Sequence, residues 1–377
     1  MKRFLLPLSL IISLACSQQN SKENEQSLDF TFDLDTLMVD PGDKIIYLGY
    51  GLHTSDLSKD GKYLYNFNMD EHLVEVIDLD ELVLKERIPF EKEGPNGTGA
   101  SWVADFQHYG GDKFLVANFM SVGFFNIAAE NIGTLKLRNN HFEGDVIEED
   151  EYVNSSGVLD EGGNTFFAIY QSGFDGKRGL AMVDIKNNRL KKIPVERLKE
   201  LEKYSLVYDR GNGMMSARTP SVNLIYHQGK VMISNSAINE LLVYHVEGDS
   251  VTVHPFESRL MDNSQNEVKQ KNVGSGEELN KLGRERQKEV GYGQWIYDPK
   301  TDRHFRFSSQ FVKETEDDLE FKVVLTVLDK DFRQVYETDR LPIKKAGKAF
   351  FKDGKIYLFE NMDDELGFVV MTMKEIK

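Results

Sequence analysis

The chain has 377 residues, of which 40% are hydrophobic, and its formal net charge is −16. This length and apolar content suffice for one large repeat domain or for two ordinary domains. The negative charge argues against nucleic acid and anionic lipid surfaces as partners, because both are negative themselves. Cys16 is the one cysteine. No intrachain disulfide can form, so stability must come from packing and strand pairing.

Residues 1–16 have the pattern of a secretory signal peptide. Lys2 and Arg3 give a positive start, and an apolar stretch runs from Phe4 to Ala15. The stretch is too short for a bilayer-spanning helix, which needs ~20 apolar residues. Cys16 follows directly and resembles the acylated cysteine of bacterial lipoproteins. We therefore predict a lipid anchor at Cys16. The alternative is ordinary cleavage near Ala15 and release of a soluble protein.

The predicted anchor divides the chain into three parts. Residues 1–16 are the signal peptide with the anchor cysteine, and residues 17–28, SQQNSKENEQSL, are a polar, flexible tether. Residues 29–377 form the folded body as a single domain. We expect this body in the cell envelope, held by its lipid to the outer membrane on the periplasmic or the outer surface.

The body repeats one pattern of strands and turns. Its first unit, residues 56–90, reads DLSKDGKYLYNFNMDEHLVEVIDLDELVLKERIPF, in which alternating runs are separated by turns. Asp60-Gly61 is typical of a hairpin turn, because glycine tolerates positive φ. Similar turns between similar strands recur around Gly111, Gly163, Gly229, Lys300 and Gly354.

Six units of four strands predict an all-β fold: a six-bladed β-propeller with four-stranded antiparallel blades. The sixth unit lacks a clear fourth strand, whereas residues 28–39 form an extra one. We expect this N-terminal strand to close the last blade and so remove an exposed edge. The alternative is a β-sandwich or several small β domains. Helical patterns at 195–204 and 276–290 fall between blades.

In a propeller, the loops between blades and those after each second strand share one face, where ligands are expected. Uncharged polar and aromatic residues recur in these places. The ligand-binding candidates are His53, Asn68, Trp102, Asp105, Asn118, Arg218, Asn223, Asn235, Tyr292 and Trp295. Asparagine also caps turns through its own backbone, and each tryptophan has the alternative of packing between blades. A long segment, 258–294, is a candidate lid or binding loop.

Catalytic motifs are scarce. The sequence contains no HExxH, no GxSxG and no thiol in the body, so we assign no catalytic residue and leave enzymatic activity open. No cofactor is assigned, but calcium is kept as an alternative. Its ligands would be Asp105, Asn118, Asn223 and Asn235, placed in the central channel as in six-bladed lactonases and related hydrolases, where the ion polarises the substrate carbonyl.

The block SDLSKDGKYLYNFN resembles surface-layer propeller repeats of the YVTN type. Together with DTLMVDPGD and FEKEGPNG, it makes nearly the whole chain similar to an uncharacterised lipoprotein group of Bacteroidota, domain-of-unknown-function family 4221. The resemblance implies a six-bladed propeller-like fold and no known activity. The leading hypothesis is a binding propeller for a glycan, peptide or envelope protein. The rival hypothesis is the calcium-dependent hydrolase.

Overall fold

The computed structural model describes residues 29–138, 141–173, 178–315 and 319–376. The predicted signal peptide, Cys16 and the tether lie outside these residues. The described residues form six four-stranded antiparallel blades in a ring, which confirms the prediction of an all-β, six-bladed propeller. None of the helices in these ranges has the length and apolar character needed to cross a membrane.

The chain begins with β1 (Asp29–Met38), which belongs to the last blade, and then builds the blades in order. Blade 1 consists of β2 (Ser55–Leu57), β3 (Tyr63–Asn68), β4 (Leu73–Asp78) and β5 (Val83–Pro89). Blade 2 consists of β6 (Asp105–Tyr109), β7 (Lys113–Ala117), β8 (Ser121–Asn126) and β9 (Asn131–Lys136). Blade 3 consists of β11 (Glu151–Leu159), β12 (Thr165–Ser172), β13 (Arg178–Asp184) and β14 (Arg189–Pro194). The two-residue strand β10 (Glu143–Gly144) adds to its outer edge, parallel to β14.

The second half of the ring follows a hairpin of β15 (Leu206–Gly211) and β16 (Met214–Arg218). Blade 4 consists of β17 (Val222–His227), β18 (Lys230–Asn235), β19 (Glu240–His245) and β20 (Ser250–Pro255). Blade 5 consists of β21 (Gly291–Asp298), β22 (Arg303–Glu314), β23 (Leu319–Leu328) and β24 (Gln334–Thr338). Blade 6 consists of β25 (Ala349–Lys352), β26 (Lys355–Met362) and β27 (Glu365–Ile376), completed by β1.

The core is divided among the six seams between neighbouring blades. The middle strands are buried on both sides, because each blade packs against two neighbours, whereas outer strands such as β5 are half exposed. Every seam contains its own cluster of buried apolar side chains. Each cluster can be represented by one residue from each of its two blades. In ring order, from the seam between blades 1 and 2 to the seam between blades 6 and 1, the pairs are Phe67 and Phe106; Leu115 and Phe166; Phe167 and Leu224; Met232 and Trp295; Phe305 and Ile356; Phe368 and Leu64.

The N-terminal strand closes the ring, as predicted. β1 pairs with β27 along its whole length, from Asp29 opposite Ile376 to Met38 opposite Gly367. Phe30 is 8% exposed, and its ring meets that of Tyr336 in blade 5 edge to face, with centroids 4.8 Å apart. The strand therefore completes its own blade and also packs against the neighbouring one.

Both predicted helical segments are present between blades. The first is a 3₁₀ helix, Glu196–Tyr204, and the second is α1 (Gly276–Arg286), capped by the Ser275 side chain, which accepts from the amide of Glu278. The connection between blades 3 and 4 also contains the β15–β16 hairpin. Its tip, Asn212-Gly213, has φ angles of 54° and 75°, which suits a two-residue turn.

We expect Phe30→Ala to lower the free energy of unfolding by about 3 kcal/mol, because it removes a buried ring that joins blades 5 and 6. Thr31→Ala, an exposed neighbour on the same strand, should change it by no more than about 0.5 kcal/mol. Denaturant unfolding followed by tryptophan fluorescence measures both. Equal stabilities of the two variants would contradict a closing role for this strand.

Candidate functional site

The two faces of the ring carry different connections. On the face named here the loop face, the chain passes between blades and from each second strand to the third. The opposite face, the turn face, holds the turns after the first and third strands. The innermost strands β2, β6, β11, β17, β21 and β25 therefore all begin at the loop face, around the mouth of the central channel.

Three charged side chains at the beginnings of innermost strands form what we call the channel cluster: Asp56, Asp105 and Lys348. The Asp56 carboxylate accepts from the backbone amides of Leu57 and His108, both at 2.9 Å. Asp105 accepts from the Gln107 side-chain amide at 2.9 Å. Lys348 donates through Nζ to the carbonyl of Ser55. Blades 1, 2 and 6 thus supply one charged group each.

The surrounding protein shapes the protonation of this cluster. Water reaches the three side chains, which are partly exposed, but protein encloses them on most sides. Burial raises the pKa of Asp56, and it raises the pKa of Asp105 to about 6, helped by the charge of Asp56. Burial lowers the pKa of Lys348 against the pull of both carboxylates. His53 is also influenced by the cluster. Its pKa is lowered mainly by burial and, to a smaller extent, by the positive charge of Lys348.

An exposed aromatic pair stands on the same face. The rings of Tyr50 and Trp102 meet edge to face with centroids 5.2 Å apart, and the two residues are 65% and 41% exposed. Tyr50, Gly51 and Leu52 have φ angles of 54°, 63° and 60°. Residues other than glycine rarely adopt such positive φ angles. Several consecutive residues do so where the surrounding fold imposes the conformation. Here buried Leu52 holds the run in place while Tyr50 points outward.

Further apolar side chains are exposed on loops and extensions of this face. Phe119 and Met120 follow β7, in a turn tied to the Trp102 loop by the Asn118 amide, which donates to the Thr98 carbonyl at 2.8 Å. Met214, Met215 and Val312 are exposed as well. Arg218 lies beside the methionines and donates to Asn280 of α1 at 3.0 Å.

The predicted asparagines act mainly within their own turns. Asn118 and Asn235 each accept two backbone amides of the following turn with Oδ1, at 2.7–3.0 Å. Asn68 does the same and donates to the buried carboxylate of Glu75 at 3.0 Å. Asn223 lies half-buried on β17. The alternative weighed from the sequence, turn capping, therefore describes three of these four residues.

Nothing in this geometry favours the calcium alternative. The oxygens that Asn118 and Asn235 would offer a cation already accept backbone amides. The positive charge of Lys348 already acts on Asp105, opposing the rise of its pKa. The described parts of the chain contain no group of three or more His, Cys, Asp or Glu side chains placed to hold a metal ion.

The two tryptophans have opposite environments. Trp295 is 1% exposed and packs in the seam between blades 4 and 5, 5.8 Å from the ring of Phe256. The guanidinium of fully buried Arg306 stacks 4.3 Å from Trp295 and 4.8 Å from Tyr292. Packing between blades, the alternative for each tryptophan, thus describes Trp295, whereas Trp102 remains exposed on the loop face. Tyr292 is also buried, at 3% exposure.

Sequence reasoning did not select Asp56, Lys348 or Tyr50. The sequence nevertheless contains a pattern that points to Asp56 and Lys348. When the repeat units are aligned on their turns, a charged residue stands five or six positions before the turn glycine in units 1, 2 and 6. These residues are Asp56, Asp105 and Lys348, of which Asp105 is among the candidates predicted from the sequence. Tyr50 precedes its repeat unit, and neither its positive φ nor its contact with Trp102 follows from residue order.

The fold and this site define a six-bladed β-propeller with a charged channel mouth and an exposed aromatic pair. The family model for "Domain of unknown function (DUF4221)" matches residues 27–339, and the chain belongs to this family. Among curated proteins, none matches the sequence.

Two solved structures support the fold. One is a DUF4221 member from Bacteroides vulgatus, with a TM-score of 0.65 and 16% identity, covering 93% of this chain and 100% of that chain. The other is a Bacteroides fragilis protein described as exported, with a TM-score of 0.52 and 11% identity, covering 92% and 96%. At these identities the likeness concerns architecture.

We expect Asp105→Asn to flatten the dependence of stability on pH. A carboxyl whose pKa is about 6 when folded and lower when unfolded stabilises the fold while protonated, and this contribution is lost as pH rises from about 4 through 6. The variant should escape that loss, which is at most about 3 kcal/mol and less after solvent screening. Thermal melting from pH 4 to 8 measures it. Superimposable profiles of both proteins would contradict the raised pKa.

Proposed function

We propose that this protein is an extracytoplasmic, lipid-anchored propeller that binds a peptide or protein partner on its loop face. The observation that carries the proposal is the exposed Tyr50–Trp102 pair beside the channel mouth. Aromatic rings that expose large rigid surfaces at little entropic cost dominate the binding energy of many protein interfaces.

Two further features support a protein or peptide rather than a glycan as partner. The loop face exposes Phe119, Met120, Met214 and Met215, and methionine is frequent on surfaces that adapt to peptides. The channel cluster has two carboxyls and one ammonium, so it accepts donor groups and favours a positively charged one. A glycan is retained as an outcome of the binding test.

The envelope location rests on residues 1–16. A positive start, a short apolar run and a cysteine after Ala15 together indicate export followed by lipidation. The Bacteroides fragilis protein of similar fold is described as exported, which agrees with this reading. The membrane is then a partner only through the lipid, since the net charge of −16 opposes adsorption to anionic headgroups.

We expect Trp102→Ala to weaken binding at least about tenfold, because a central aromatic anchor contributes more than 1.4 kcal/mol to a typical interface. Detergent-solubilised protein is applied to peptide and glycan arrays, and affinities for the positive spots are measured. Val253→Ala, exposed on the outer strand of blade 4, is the control and should bind like the wild type.

Two results of this binding experiment would change the proposal. Wild-type affinity of both Trp102→Ala and Tyr50→Ala, with unchanged melting temperatures, would remove the aromatic pair as the binding site. Signals confined to the glycan array would replace the peptide partner by a carbohydrate one.

We expect Cys16→Ala to move the protein from the membrane fraction to the soluble fraction, or to leave it unprocessed with its signal peptide. Metabolic labelling with an alkyne fatty acid should mark the wild type and not this variant. Ser17→Ala, at the next position, is the matched control and should keep the label. An unlabelled, soluble wild type would show that the chain is secreted without a lipid.

A further inference from the structure

Two lysines at the two ends of one short strand differ in their partners. Lys352, at the end of β25, has a 7% exposed side chain and pairs with Asp80 at 2.5 Å and Asp353 at 3.1 Å. Lys348, directly before β25, donates to the carbonyl of Ser55. Within the described ranges, no carboxylate oxygen lies within 4.0 Å of its Nζ.

This difference in hydrogen-bond partners changes the protonation of the two amines. Burial disfavours the charged form of Lys352, but its hydrogen bonds to Asp80 and Asp353 outweigh this and raise its pKa. For Lys348 burial prevails, so its pKa is lowered although Asp56 and Asp105 oppose the change. At neutral pH, Lys348 therefore holds a larger fraction of neutral amine than Lys352, and the neutral amine is the nucleophilic form.

Lys348 is also placed where a ligand can reach it. Its side chain is partly exposed at the channel mouth, on the face that carries Tyr50 and Trp102. His53, Asp56 and Asp105 are the titratable groups that act on it or respond to it. All three belong to the innermost strands of blades 1 and 2 or to the segments that lead into them.

We propose that Lys348 is a nucleophilic amine that captures an aldehyde or ketone group of a ligand as a Schiff base. The neutral nitrogen attacks the carbonyl carbon, a C–N bond forms, and the carbonyl electron pair moves to oxygen. A proton passes from nitrogen to oxygen through solvent, and loss of water then leaves the C=N bond. No oxidant or reductant is needed. The inference rests on the proposed function only in that the ligand enters from the loop face.

The channel cluster suits this product as well as the free lysine. A protonated Schiff base carries the same single positive charge as the ammonium group that it replaces. Asp56 and Asp105 would therefore keep their compensating charge after capture, and no new unpaired charge would be buried. The adduct is reversible by hydrolysis, as expected for a binding site.

Reductive trapping tests the inference. Full-length protein in detergent is incubated at pH 7 with propionaldehyde and cyanoborohydride, and adducts at each lysine are quantified by peptide mass spectrometry. We expect Lys348 to be modified several times faster than exposed Lys59, and Lys352 to be modified more slowly than either. The comparison is made within one sample and needs no variant. A Lys348 rate equal to or below that of Lys59 would overturn the proposal.

Variants provide the matched control. Lys348→Arg should abolish the fast adduct, and Lys352→Arg should leave it unchanged, with melting temperatures confirming that both fold. A fast adduct that persists in Lys348→Arg would assign the reactivity to another lysine. The outcome is independent of the array experiment: loss of partner binding in Trp102→Ala without a reactive Lys348 would leave the proposed function in place and remove only the amine chemistry.

Discussion

The antiparallel pairing of β1 with β27 is the interaction on which the rest of the structure depends. A propeller blade shares its apolar surfaces with two neighbours, so each of the six seams is complete only when the ring is closed. The first and last strands of the described chain meet in one sheet and thereby join the two ends of the series. No covalent link contributes to this closure, since Cys16 is the one cysteine.

Closure also creates the channel mouth and decides its chemistry. Asp56, Asp105 and Lys348 are far apart along the chain and come together because they begin innermost strands in blades 6, 1 and 2, which are consecutive in the ring. Partial burial then works against every charge in the cluster: it raises the pKa values of the carboxyls and lowers that of the amine. Both the proposed binding and the proposed amine chemistry draw on this competition between burial and mutual attraction.

The repeat pattern allowed the strands, the number of blades and the closing strand to be predicted, whereas the site was predicted only in part. Trp102 and Trp295 occupy similar places, ahead of or within the innermost strands of their units, so residue order favours neither over the other as a ligand contact. In the structure Trp295 is covered by Phe256, which follows the last strand of blade 4, and by Arg306, its pairing partner on β22. Trp102, in contrast, is 41% exposed beside the ring of Tyr50. The contact with Phe256 crosses the seam between blades 4 and 5, and a repeat alignment carries no information on contacts across a seam.

The sequence by itself determined the features that are encoded over short distances. Alternation of apolar and polar residues specifies strands, glycine and asparagine specify the turns between them, and the first sixteen residues carry an export pattern. Asn118 and Asn235 show the limit of such local reasoning, because the same residue type serves a turn or a ligand. Only the tertiary structure decided which charges share the channel and which tryptophan stays exposed. It also decided that Lys348, unlike Lys352, has no carboxylate oxygen within 4.0 Å among the described residues. These properties depend on the distance between residues of different blades, and ring closure, not residue order, sets that distance.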